Sequence, residues 1–175
     1  MKNTLFSLLL VSLTLIGCSA STSSGSLDEK VGEVAPLFTH TSLTGEEFSL
    51  IELRGKVVYI FFYGASCPHC RSNGPVTETQ IHQRFESDPD FVALGLDTWN
   101  NSASSNTSFR SITGITYPLL LNARQSLVNY YGNAGAYDRS VVIDAEGRIA
   151  YMGNGFVNTD VNTVVDVIER ELAKN

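Results

Sequence analysis

Apolar and polar positions fall along this chain in blocks whose lengths separate strands from helices. Val57-Val58-Tyr59-Ile60-Phe61-Phe62-Tyr63 is an unbroken β-branched and aromatic run, the pattern of a strand covered on both faces. Phe91 to Leu96 reads as a second buried strand and Tyr117 to Leu121 as a short one. Ser140–Ile143 and Ile149–Met152 predict a hairpin around Ala145-Glu146-Gly147-Arg148. Val161, Val164, Val165, Ile168 and Leu172 recur at helical spacing, which predicts a terminal helix over Asp160–Leu172 with Asp160 as its cap. Gly64, Ala65 and Ser66 make a strand-to-helix turn, and a helix is expected from Cys67 to about Phe85, kinked at Gly74-Pro75. Asp97 to Ser108, rich in Asn and Ser, predicts a loop or a capped helix entry. Phe109 to Thr113 then fits a short helix, and Gln125 to Tyr130 another.

The first block obeys a different rule. Lys2 is followed by an apolar stretch, Leu5 to Ile16, too short to span a bilayer as a stable helix. It ends in Leu15-Ile16-Gly17-Cys18, which resembles a bacterial lipobox and implies cleavage before Cys18 and lipidation of its sulfur. Ser19 to Ser26 is polar, uncharged and of low complexity, the composition of a flexible tether. The expected organisation is a signal peptide over 1–17, a tether over 18–30 and one domain over 31–175. The location that follows is the cell envelope, lipid-anchored and facing the periplasm or the extracellular side.

Composition agrees with a single core. Of 175 residues, 43% are hydrophobic and 17% charged, enough apolar material for one domain. The net charge of −6, with no basic run longer than a pair, gives nucleic-acid binding no electrostatic support.

The candidate chemistry is Cys67-Pro68-His69-Cys70. A helix that starts at Cys67 sets that sulfur over exposed backbone N–H groups, which favours the thiolate. Cys70, nearly one turn on, lies within reach for a disulfide. Pro68 fits the first turn, where a missing N–H costs nothing, and a partly protonated His69 beside the sulfur favours the thiolate further. A structural zinc needs four ligands. Cys18 is the only other cysteine, and His40, His69 and His82 have no ligand spacing, so no metal is expected. A structural disulfide closing so small a loop restrains little of the unfolded chain.

Several landmarks run in one order: Ala35-Pro36, Phe48-Ser49-Leu50, Leu53-Arg54-Gly55-Lys56-Val57-Val58, Cys67-Pro68-x-Cys70-Arg71, Pro75, Tyr117-Pro118-Leu119-Leu120, Tyr131-Gly132 and Val142-Ile143-Asp144 with Gly147. With them the chain resembles the TlpA/ResA-like thiol–disulfide oxidoreductases, in the redoxin (AhpC/TSA) group of the thioredoxin-like superfamily. The resemblance implies an α/β thioredoxin-like fold, a central mixed sheet flanked by helices. It implies Cys67 as nucleophile and Cys70 as resolving thiol, protein thiols or disulfides as partners, the membrane met only through the lipid, and no cofactor beyond the dithiol.

Three positions depart from that group. Ser66 stands where thioredoxins usually have tryptophan. Asn73 stands where the family has an acidic residue implicated in proton handling. Asp138 stands where the cis-proline before a strand is expected, and a non-proline cis bond costs about 2.5–4 kcal/mol, so a trans bond is expected. Asp138-Arg139 is closer to the peroxiredoxin side, where an arginine faces the thiolate; Arg139 is therefore a candidate thiolate stabiliser, with a surface salt bridge to Asp138 or Asp144 as its ordinary alternative. Two rival functions are a peroxiredoxin-like thiol peroxidase and a non-catalytic docking or assembly module. The first lacks the threonine expected three residues before the cysteine, where Gly64 stands. The second, in its metal-handling form, wants a different cysteine spacing. Trp99, in a polar loop, is a candidate to border the site, with packing on the surface as its equal alternative, and Tyr130, Tyr131 and Tyr137 stay open between core and substrate contact.

Overall fold

A computed structural model describes residues 27–175. The expected signal peptide, the lipidation site Cys18 and most of the expected tether lie outside the described residues. The last four tether residues, Leu27–Lys30, form a 3-10 turn, and Lys30 Nζ donates to the Tyr130 carbonyl oxygen. They therefore dock on the domain.

The seven-residue apolar run forms β3 (Val57–Tyr63), and every residue in it is buried. It lies at the centre of a five-stranded sheet because it can lose water on both faces at once. It pairs in parallel with β4 (Phe91–Asp97) and antiparallel with β6 (Arg139–Ile143). The short β5 (Leu119–Leu120) and β7 (Ile149–Met152) close the order β5-β4-β3-β6-β7. A separate pair, β1 (Thr39–Thr41) and β2 (Glu47–Ser49), precedes the sheet. Alternation along β3 divides the core. Val57, Tyr59, Phe61 and Tyr63 face one cluster with Ile81, Phe109, Val164 and Ile168. Val58, Ile60 and Phe62 face a second with Phe38, Leu50, Leu127 and Tyr130. The first face carries α1 (Pro68–Val76), α3 (Ala103–Thr113) and α5 (Val157–Leu172), and the second carries α4 (Arg124–Tyr131).

Four expectations change. The helix expected from Cys67 begins at Pro68, with Cys67 as its N-cap. Pro75 does not end it: having no N–H, Pro75 leaves the ladder short, the Thr77 N–H reaches both the Asn73 and Gly74 carbonyls, and wide π-helical turns run over Thr77–His82 before α2 (Gln83–Phe85). Gly74 lets this helix approach α3, since a Cβ there would sit 2.6 Å from Thr113 Cγ2. Helix α3 starts at Ala103, well before Phe109, because the Ser102 hydroxyl caps it by accepting from the Ser105 N–H at 3.2 Å. The strand expected over Tyr117–Leu121 shortens to β5. Helix α5 starts at Val157 behind Phe156, so Asp160 is not its cap; its carboxylate instead accepts from the Tyr151 hydroxyl at 2.9 Å.

Candidate active site

The site forms where β3 stops. Its turn, Gly64-Ala65-Ser66, is tied down on both sides. The Ala65 N–H donates to Asn101 Oδ1 at 3.0 Å, Asn101 Nδ2 donates to Ser66 Oγ at 3.2 Å, and Arg71 Nε donates to the Ala65 carbonyl at 3.0 Å. Asn101 is in turn held by the buried Asp97, whose Oδ2 accepts the Asn101 N–H at 2.7 Å. Sequence reasoning passed over Asn101, which lies in a polar loop with no pattern to mark it.

Cys67 caps α1 with its side chain: Sγ accepts the Cys70 N–H at 3.3 Å. That hydrogen bond and the helix N-terminus place partial positive charge at this sulfur. Pro68 occupies the first turn, where no N–H is needed. The Gly64 N–H points at Cys70 Sγ at 3.5 Å. Both cysteines are free thiols; Cys67 is 1% exposed and Cys70 fully buried. Burial pushes the Cys70 thiol well up from its ordinary range, and its hydrogen bond with Cys67 adds to this. Around the covered Cys67, Ser66, Pro68 and His69 are exposed.

Residues far along the chain complete the site. The His69 ring stacks on Phe156 with centroids 4.7 Å apart and planes at 13°. Trp99 packs over Gly64, where an added Cβ would lie 2.5 Å from the indole. It also meets Tyr137 edge-on at 5.0 Å. Trp99 and Tyr137 therefore border the site, whereas Tyr130 is buried against Phe62 and Tyr131 donates to the Gly153 carbonyl at 2.9 Å.

Asp138 sits directly before β6 with φ +57°, and no peptide bond among the described residues is cis. It is fully buried; its N–H donates to the Phe62 carbonyl at 2.7 Å and its Oδ2 accepts from Asn73 Nδ2 at 2.7 Å. Burial pushes this carboxyl above its usual range, against the Asn73 hydrogen bond and the nearby charges of Arg139 and His69. Two of the three departures read as separate features of the sequence are thus one contact.

Arg139 makes no hydrogen bond or ion pair with Cys67 among the described residues. Its Nη1 donates to the Tyr137 and Asp138 carbonyls at 3.1 Å, and its guanidinium lies 5.3 Å from the Phe156 ring centre. Among the described residues no ion pair joins it to Asp138 or Asp144. Its charge acts on the carboxylates of Asp138 and Asp160. Asp160 is a site residue that sequence reasoning placed only as a cap. Burial pushes its carboxyl up to about 6, against the Tyr151 hydrogen bond and Arg139. Among the described residues no group of His, Cys, Asp and Glu could hold a metal ion.

Comparison with known proteins places these features in a family setting. The Redoxin family model matches residues 30–168. The chain is 27% identical over 120 residues to the thiol–disulfide oxidoreductase ResA of Bacillus thuringiensis (strain Al Hakam), a match covering 69% of this chain and 67% of that protein. It is 29% identical over 133 residues to a candidate peroxiredoxin of Mycobacterium tuberculosis (strain CDC 1551 / Oshkosh), covering 67% of this chain and 80% of that one. The solution structure of a candidate protein disulfide isomerase from Bacteroides thetaiotaomicron superposes with a TM-score of 0.75 at 32% identity, covering 82% of this chain and 90% of that one.

Proposed function

Because the chain belongs to the Redoxin family, as a TlpA/ResA-like thioredoxin-fold thiol–disulfide oxidoreductase, we propose that it exchanges two electrons with protein thiols and disulfides outside the cytoplasm, through Cys67 and Cys70 alone. The observation that carries this reading is the pairing of roles at the start of α1. Cys67 Sγ receives the Cys70 N–H at the helix N-terminus, and Cys70 lies fully buried behind it. The Cys67 thiolate attacks a partner disulfide, one partner sulfur leaves as thiolate, and a mixed disulfide forms. Cys70 then attacks Cys67, the second partner sulfur leaves, and the pair ends as a disulfide with the partner reduced. Run backwards, the same steps oxidise a partner dithiol. The exposed Ser66, Pro68 and His69 offer the partner peptide its first contacts. The dithiol is the whole redox centre and calls for no metal, flavin or nucleotide. Export and acylation of Cys18 are supported by Lys2, the apolar stretch after it and Leu15-Ile16-Gly17-Cys18.

The peroxidase alternative has less support from the geometry than from kinship. A threonine side chain in place of Gly64 has no room beneath Trp99, and the Arg139 guanidinium donates to the Tyr137 and Asp138 carbonyls rather than to Cys67.

The test is a trap. The full chain with Cys18→Ser, and the same chain carrying Cys67→Ser or Cys70→Ser, are each reduced, freed of reductant and mixed with insulin, whose disulfides serve as the probe. Cys70→Ser should hold a covalent adduct that dithiothreitol releases, and Cys67→Ser should hold none. No adduct with Cys70→Ser, or an equal one with Cys67→Ser, overturns the proposal. Hydrogen peroxide consumed as fast as insulin is reduced would favour the peroxidase.

A further inference from the structure

Cys70 has a chemical difficulty that the dithiol by itself does not solve. It must become a thiolate to attack the mixed disulfide, yet it is fully buried and burial holds its proton on. Water is excluded, so the proton needs a buried acceptor.

Two anchors put a carboxylate at this spot. Asn73 lies three residues after Cys70 on α1, hence on the same face one turn further, and its amide holds Asp138 Oδ2 at 2.7 Å. The Asp138 N–H is held by the Phe62 carbonyl at the end of β3, two residues before the Gly64 whose N–H points at Cys70 Sγ. Asp138 is fully buried and its second oxygen, Oδ1, has no hydrogen-bond partner. An unpartnered buried carboxylate oxygen is costly, and the left-handed backbone at Asp138 is itself uncommon outside glycine, asparagine and aspartate. Both are retained near Cys70, the thiol whose ionisation burial disfavours. The charge of Asp138 is felt at Cys70.

We propose that Asp138 is the proton acceptor for Cys70, with Asn73 as the residue that positions it. As Cys70 attacks, its thiol proton passes to the Asp138 carboxylate. The Cys67–Cys70 bond forms, the bond from Cys67 to the partner sulfur breaks, and that sulfur leaves with the electron pair as a thiolate. In the oxidising direction the protonated Asp138 returns the proton to Cys70 as it leaves Cys67. The other titratable groups acting around this carboxylate are His69 at the start of α1, Arg139 on β6, Asp160 on α5 and Tyr59 on β3. This inference rests on the dithiol reading above.

The experiment separates the two. Every protein is the full chain with Cys18→Ser, leaving Cys67 and Cys70 as its only thiols. The reduced protein is mixed with 5,5′-dithiobis(2-nitrobenzoate) in a stopped-flow instrument between pH 5 and 9. A first thionitrobenzoate is released when Cys67 attacks the reagent, and a second when Cys70 attacks Cys67. In Asp138→Asn, which keeps the shape and the backbone preference, the second phase should fall at least about tenfold at pH 7. It should then climb about tenfold per pH unit, as for a thiol that must ionise unaided. Asn73→Asp with Asp138→Asn exchanges donor and acceptor across the same hydrogen bond and should recover part of the lost rate. No first phase in the parent defeats the dithiol reading. A normal first phase with an unchanged second phase in Asp138→Asn, or a double variant no faster than Asp138→Asn, defeats this inference alone.

Discussion

The imidazole of His69 lies flat against the ring of Phe156, 4.7 Å away and 13° from parallel. The contact joins the first turn of α1 to the residue just before α5. Val157, next in the chain, is buried in the same cluster as Cys67. Phe156 itself is 39% exposed, so its position depends on the stack more than on core packing. Cys67, two residues before His69, is 1% exposed, so a partner must displace part of its cover to reach it. An aromatic pair of this kind contributes about 0.5–1.5 kcal/mol. Phe156→Ala should therefore speed alkylation of Cys67 by iodoacetamide about two- to tenfold, with little loss of thermal stability. An unchanged alkylation rate would show that the covering lies elsewhere.

Gly64 and Trp99 are locked together. A methyl group on Gly64 would sit 2.5 Å from the indole, so Gly64→Ala has to push the ring or the turn aside. Overpacking of this sort costs about 1–3 kcal/mol, a fall in Tm of roughly 2–10 °C for a chain of this size. Trp99 is the chain's one tryptophan, so its emission reports the displacement directly. Emission and Tm both matching the parent would refute the contact.

Asp160 predicts a pH dependence. Its carboxyl is pushed up to about 6 from 3.8 by burial. Between those values the folded protein keeps a proton that the unfolded chain has lost. Its contribution to stability is thus full below pH 3.8 and is lost as pH rises through about 6. Asp160→Asn removes this loss while leaving Tyr151 an oxygen to donate to. The Tm of the variant relative to the parent should rise between pH 4 and pH 7, as scanning calorimetry would show. A difference that stays flat across that range would contradict the buried carboxyl.

Tyr63 and Asn106 test the far side of the site. The Tyr63 hydroxyl donates to Asn106 Oδ1 at 2.6 Å, both groups are fully buried, and Asn106 Nδ2 holds Asp97 Oδ2 at 2.9 Å. Tyr63→Phe strands a buried acceptor, at a cost of about 1–3 kcal/mol. Urea unfolding should give a lower midpoint with an unchanged slope. A midpoint equal to the parent's would mean that Asn106 finds another donor.

Elements whose cause is local were legible in the amino-acid order. Seven consecutive apolar residues have one way to lose water on both sides, and β3 is the central strand. The stripe Val161, Val164, Val165, Ile168 and Leu172 lies within α5. Only the end of helix α3, Phe109–Thr113, was legible as helix, and its first turns stayed between a loop and a capped helix entry because their stability is not written in apolar spacing. Thr107, Ser108 and Thr113 return their hydroxyls to carbonyls one turn back, and of its large apolar side chains only Phe109 is buried.

The same division runs through the site. Cys67, Pro68, His69 and Cys70 are neighbours in the chain, and one helical turn is enough to bring the two cysteines together, so spacing alone singled them out as candidates. Which side chains face those sulfurs was decided by the order of strands. Pairing β6 beside β3 carries Asp138 to Asn73, 65 residues away in the chain. Packing α5 on the same face carries Phe156 to the start of α1 and brings the charge of Asp160 to Asp138 and Arg139. No local periodicity or cap encodes these meetings. They exist because buried polar groups must find partners across the sheet once the apolar core has set the distances.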